Sequence, residues 1–96
     1  MVVLITYDIQ TMDKVGQRRL RRIAKACESF GQRVQFSVFE CDLTPTLWTD
    51  LRGKLLSIYN PKVDSLRFYF LGADDVKRAE HHGIKPSRDF NEPLVL

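Results

Sequence analysis

Val2-Val3-Leu4-Ile5-Thr6-Tyr7-Asp8 is a near-continuous apolar run, rich in β-branched residues, that ends on a carboxylate. A run of this length without Pro or Gly reads as a β-strand buried on both faces rather than one with a wet side. Such a strand needs neighbours on both edges and cover on both faces. It also leaves Asp8 to be explained, an acid closing a segment otherwise made for a core.

Outward from this strand, the loop Gln10-Thr11-Met12-Asp13 offers Thr11 or Asp13 as an N-cap. Gly16, Leu20, Ile23, Cys27 and Phe30 then recur at three- and four-residue steps with Ala24 beside them, which predicts an amphipathic helix over residues 14–29, with Gly31 closing it in the C′ role. The stretch Arg33-Val34-Gln35-Phe36-Ser37-Val38-Phe39-Glu40-Cys41-Asp42-Leu43 is strand-like throughout, too long for one strand, and is expected to bend or bulge at residues 35–37. Thr44 as N-cap and Pro45 at the first helical position open a second helix with Leu47, Leu51, Leu55 and Ile58 as its stripe, Trp48 alongside, and Asn60-Pro61 as its stop.

Ser65-Leu66-Arg67-Phe68-Tyr69-Phe70-Leu71-Gly72 is the last strong strand. Residues 73–80 read as a charged connector. Residues 81–96 read as a tail whose apolar end, Leu94-Val95-Leu96, adds a short strand to a sheet edge. The expected organisation is thus a ferredoxin-like domain over residues 1–80 followed by that tail.

Strand, helix, bent strand, helix, strand is the order of an α+β, ferredoxin-like split βαβ sandwich. Two helices with one stripe each cover one face of the sheet. The first and last main strands read as apolar on both faces, so the other face is expected to pack against a second copy of the chain in a two-fold homodimer.

At 96 residues the chain suffices for one core, and no apolar run approaches the length of a membrane span. The first residues lack the pattern of a secretory signal, so a cytoplasmic location is expected. Cys27 and Cys41 sit in apolar patterns and read as buried, inert thiols. The net charge of +3 is unevenly spread: residues 14–33 hold seven basic residues against Glu28, a local net of +6, and the remainder is net −3. Lys14, Arg18, Arg21, Arg22 and Lys25 gather opposite the apolar stripe of the first helix, with Arg19 at its flank. Such a basic face suits phosphates, bound largely without regard to sequence. Phe36, Phe39, Phe68 and Phe70 read as core, which leaves no exposed aromatic platform and favours duplex or structured nucleic acid over single strands. His81 and His82, adjacent in a polar segment, read as plain surface residues.

Asp8 has two readings, an acid turning the chain after a strand or a ligand. In a dimer packed through the open sheet face, one Asp per chain near the axis becomes two facing carboxylates, which repel unless a cation lies between them. Mg²⁺ suits such a seat, being hard and commonly held by one or two carboxylates with substrate phosphates.

Tyr7-Asp8, the helix segment Arg19-Leu20-Arg21-Arg22-Ile23-Ala24-Lys25, and above all Gly31-Gln32-Arg33-Val34-Gln35-Phe36-Ser37-Val38-Phe39-Glu40-Cys41 resemble the small CRISPR-associated nucleases here called the Cas-two family. Ser65-Leu66-Arg67-Phe68-Tyr69 and Pro93-Leu94-Val95-Leu96 fit it too, so the resemblance runs over essentially the whole chain. It implies a ferredoxin-like homodimer whose C-terminal strand crosses onto the partner's sheet, and a role in spacer acquisition beside the CRISPR integrase subunit. It also implies metal-dependent endonuclease activity on RNA or double-stranded DNA, with one Mg²⁺ per dimer held by Asp8 of each subunit. Tyr7, Arg33, Ser37 and Phe39 are the further catalytic-site positions it implies, and Arg19, Arg21 and Arg22 match the family's helix arginines. A non-catalytic adaptor that bridges the integrase and binds duplex DNA is the alternative reading. An acylphosphatase-like enzyme is disfavoured, because the loop after Asp8 holds no glycine until Gly16 and makes a poor phosphate nest.

Overall fold

The computed structural model describes residues 1–72 and 78–84. In chain order the elements are β1 (Val2–Asp8), α1 (Lys14–Glu28), β2 (Gln32–Gln35), β3 (Val38–Asp42), α2 (Pro45–Ile58), β4 (Ser65–Leu71) and β5 (Ala79–Gly83). They form one sheet in the order β2-β3-β1-β4-β5, with every neighbouring pair antiparallel. The opening strand occupies the centre: Ile5 lies between Phe39 of β3 and Phe68 of β4. β1 and β2 run parallel with β3 between them, which is the split βαβ arrangement the element order predicts.

Strand alternation sorts the side chains. Val3, Ile5 and Tyr7 join Phe39, Cys41, Leu66, Phe68 and Phe70 in the core under the helices. The opposite face is mixed, apolar at one end of the two strands and polar at the other. Along β1 it carries Val2 and Leu4, then Thr6 and Asp8, and along β4 it carries Leu71 and Tyr69, then Arg67 and Ser65. Arg67 is buried there and donates to the Tyr69 hydroxyl at 2.8 Å. Its long aliphatic stem makes a charged residue compatible with an apolar-looking strand.

Asp13 caps α1, its carboxylate accepting from the Gly16 N–H at 2.7 Å. The helix ends on Ser29, and Gly31 does not take the left-handed C′ conformation expected of it. Among the described residues only Gly83, at φ 103°, has positive φ. Gly31 is needed for closeness instead: its backbone lies against Cys41 and the Glu40 carbonyl, where a side chain has no room. In α2 the expected roles of two neighbours are exchanged. Trp48 is in the core, edge-on to Phe68 at 4.9 Å and to Phe70 at 5.7 Å, and Leu47 is exposed. The larger ring fills the space over β4 that a leucine would leave.

The long strand-like stretch divides where a bend was expected, into the hairpin β2–β3 with Phe36 and Ser37 as its turn. The pairing register slips at Val34, and neither turn residue takes positive φ. β5 is the largest departure from the sequence reading. Residues 79–83, whose sequence reads as the end of a connector and the start of a tail, pair along β4. On one side of β5, Glu80 accepts from Arg52 of α2 at 2.9 Å and bonds His82 at 3.1 Å, while the His82 ring lies 5.7 Å from Phe68. On the other side His81 meets Ser65 at 3.1 Å. Both histidines are half-buried, not plain surface residues. The terminal Leu94-Val95-Leu96, expected to form a strand, lies outside the described residues.

Candidate functional site

Asp8 ends β1 with its side chain exposed, opposite Ser65 of β4. Among the described residues no hydrogen bond or ion pair engages its carboxylate. The preceding residue does the opposite. Tyr7 is buried, its hydroxyl donates to the Phe36 carbonyl at 3.2 Å, and its N–H donates to the Ser37 carbonyl at 3.1 Å. Burial pushes the Tyr7 phenol above its ordinary range against the opposing charge of Arg33, so it remains a protonated donor. Its ring stacks on Phe39 at 6.3 Å.

The Arg33 guanidinium lies 5.0 Å over the Phe39 ring and 3.3 Å from Glu28. Tyr7, Arg33, Ser37 and Phe39 therefore converge where β1 meets the hairpin tip. Phe39 is fully buried and reaches that place only through the Tyr7 ring and the Arg33 cation packed on it. Phe36, read as core from the sequence, is 91% exposed at the tip. The bend expected over residues 35–37 falls here, but hydrophobicity alone does not tell which way a turn residue's side chain points.

As a metal seat, Asp8 supplies hard carboxylate oxygens that suit Mg²⁺, but only one such group. No cluster of three metal-binding side chains occurs among the described residues. Within one chain, Asp8 accordingly fits a largely hydrated ion that takes its remaining oxygens from a second carboxylate or from phosphates. Cys27 and Cys41 are free and buried, their thiols pushed up by burial to about 12 and about 11, and they are inert as ligands and nucleophiles at neutral pH.

Lys14, Arg18, Arg21, Arg22 and Lys25 are exposed on α1. Arg19, which the sequence reading groups with them, turns inward. Its Nε donates to Asp64 at 2.8 Å, and its guanidinium also reaches the Gln10 carbonyl. Asp64 is completely buried and also accepts from the backbone N–H groups of Gln10 at 3.0 Å and Asn60 at 2.8 Å. This knot fastens the loop after Asp8 to the start of β4. The sequence carries no signal for it, since Asp64 sits between Val63 and Ser65 in the loop that follows Asn60-Pro61. His81 lies on the same sheet face as Asp8, beyond Ser65. Burial and then the charge of Arg67 hold its pKa below the usual histidine value, so it is neutral at pH 7.

The family model of CRISPR associated protein Cas2 matches residues 1–79. A protein of Chlorobaculum tepidum named CRISPR-associated endoribonuclease Cas2 is 57% identical over 96 residues, the whole of both chains. One of Halalkalibacterium halodurans named CRISPR-associated endonuclease Cas2 is 50% identical, again over the whole of both. The crystal structure of Streptococcus pyogenes Cas2 superposes with a TM-score of 0.70 at 51% identity, covering 75% of this chain and 87% of that one. With the sheet order, the Tyr7-Asp8 strand end and the hairpin all in place, the chain belongs to the CRISPR-associated Cas2 family.

Proposed function

We propose that this protein is a Mg²⁺-dependent endonuclease of the CRISPR system that hydrolyses phosphodiester bonds in RNA or double-stranded DNA, working as a homodimer in spacer acquisition beside the integrase subunit. The observation that carries the reading is Asp8, an exposed carboxylate without a partner among the described residues, at the end of the central strand of a chain whose relatives are named nucleases. In the dimer, Asp8 of each subunit would face one cation. When bound, that ion supplies Lewis acidity, polarising a phosphodiester oxygen and making water a better nucleophile.

The chain's own residues do the rest. Asp8 would hold the ion by charge. Tyr7 ties both carbonyls of the hairpin turn, so Ser37 and its neighbours keep a set position against the end of β1. Arg33, packed over the buried Phe39 ring, offers a cation to a phosphate. In hydrolysis the water oxygen bonds phosphorus, one P–O ester bond breaks, and the departing oxygen takes a proton. Cleavage of end-labelled RNA and duplex DNA by the purified chain with added Mg²⁺ tests this reading and separates the substrates. Cleavage should stop on chelation and resume on adding Mg²⁺; cleavage that persists in excess chelator rules the reading out.

A second reading, a non-catalytic adaptor that cradles duplex DNA for the integrase, is favoured by the exposed basic face of α1. Reversing charge at Arg18, Arg21 and Arg22 together should weaken duplex binding at every sequence. It should also flatten the slope of log affinity against log salt by about 2 to 3, roughly 0.9 for each phosphate that is no longer neutralised. Titration over a range of salt concentrations measures both. Among the described residues, no helix is long and apolar enough to cross a membrane.

A further inference from the structure

Isolated exposed apolar residues are common on protein surfaces and by themselves mean nothing. Phe36 differs in how it is held. It stands at the tip of the β2–β3 hairpin, 91% exposed, with Val34 also exposed beside it. The tip that carries it is tied down, since the Phe36 carbonyl accepts from the Tyr7 hydroxyl at 3.2 Å and the Ser37 carbonyl from the Tyr7 N–H at 3.1 Å. The ring is thus presented on a fixed backbone with only two side-chain torsions to settle, which lowers the cost of binding through it.

Its place is specific as well. β1 and β3 pair with Thr6 opposite Val38, and the Tyr7 N–H to Ser37 bond continues that register by one step. The turn that carries Phe36 is thus fastened against the end of β1, the strand that Asp8 closes. An open cleft of about 570 Å³ lies at the tip, lined by residues from Arg33 to Ser37. Among the described residues, the Arg33 cation in its wall has the exposed Glu28 as its one ion-pair partner, at 3.3 Å, a pairing weak enough to yield to a phosphate. A bare aromatic face and an exchangeable guanidinium in one cleft match the chemistry of a nucleotide whose base is free to stack.

We propose that Phe36 is a stacking platform for an unpaired nucleobase, so that the site takes nucleic acid with a single-stranded segment and Arg33 receives the neighbouring phosphate. A base inside a duplex has both π-faces covered by its neighbours, whereas an unpaired one can lay a face on Phe36. This rests on the nucleic-acid reading above and names the substrate class of that same site. It reverses the preference for duplex that follows when Phe36 is counted as core.

The test is equilibrium binding of a labelled single strand and of a fully paired duplex of equal length, without divalent metal so that nothing is cut. Phe36→Ala should lose about tenfold in affinity for the single strand, the scale of one base–aromatic stack, and keep its affinity for the duplex. Phe36→Tyr should restore single-strand binding, and Phe36→Leu, apolar but without a π-face, should not. Equal losses on both substrates, no loss on either, or full function of Phe36→Leu would overturn the platform while leaving the nucleic-acid reading intact. A change in hydrodynamic size of Phe36→Ala without any single-strand defect would instead show that the tip serves a second copy of the chain. Wild-type protein that binds neither substrate removes both the platform and the reading beneath it.

Discussion

Asp8→Asn is expected to fold as the wild type does, to bind nucleic acid, and no longer to cut it. The substitution keeps the shape of the side chain and removes its charge, and among the described residues that charge holds no hydrogen bond or ion pair in place. Loss of stability should therefore stay within about 0.5 kcal/mol, the range of ordinary surface substitutions. Activity is another matter. If the carboxylates of two subunits are the protein's whole grip on the cation, the variant loses both at once, because each subunit carries the change. Cleavage should fall by at least about 100-fold, the upper end of what losing a supporting residue costs a metal site. Initial rates and melting curves on chromatographically matched preparations measure the two effects together. Cleavage at the wild-type rate by such a variant would move the nuclease away from Asp8, and melting several degrees lower would make the acid structural.

Asp64→Ala is the counterpart, a substitution that threatens the fold by untying the loop after Asp8. Removing the carboxylate leaves the buried N–H groups of Gln10 and Asn60 without their acceptor and deprives Arg19 of its partner. Breaking one side of a buried, hydrogen-bonded ion pair costs about 3 to 5 kcal/mol, a large share of what a domain of this size has in hand. Urea unfolding at pH 7 should show it as a lower midpoint with an unchanged slope. Loss of less than about 1 kcal/mol would mean that water replaces the carboxylate at little cost.

The pH dependence has a definite sign. Burial alone pushes the Asp64 carboxyl up, but the hydrogen bond from Arg19 and those from the Asn60 and Gln10 backbones outweigh it and hold the group below its ordinary range. A folded-state value below the unfolded one of about 3.9 means that the group's stabilising contribution is complete above that pH. It is lost as pH falls below it, through the folded value. The stability gap between wild type and Asp64→Ala should accordingly narrow below about pH 4. Glu80, held low by His82 and Arg52 against its own burial, adds to the acid sensitivity of both proteins in the same direction.

Periodicity and capping residues in the sequence determine α1, α2, β1, β4 and the division of the β2–β3 stretch, because each rests on a local rule: a stripe every three or four residues, a Thr-Pro helix start, a β-branched run. They determine with these the split βαβ class, since two one-sided helices and four strands leave little other choice. The Tyr7-Asp8 strand end and the basic face of α1 are equally local, and both are where the sequence puts them.

What only the tertiary structure decides is every feature that depends on a distant partner. Ala79–Gly83 has the composition of a polar loop and becomes a strand because β4 offers it an open edge and Arg52 and Phe68 receive Glu80 and His82. Arg19 has the spacing of a surface arginine and is drawn inward by an acid 45 residues away. Phe36 has the pattern of a core residue and is expelled to the surface because the chain turns beneath it, tied there by Tyr7 from 29 residues earlier. Hydrophobic pattern reports what a side chain prefers. Which residues meet, and which are left facing water, is set by the long-range pairing that the sheet imposes.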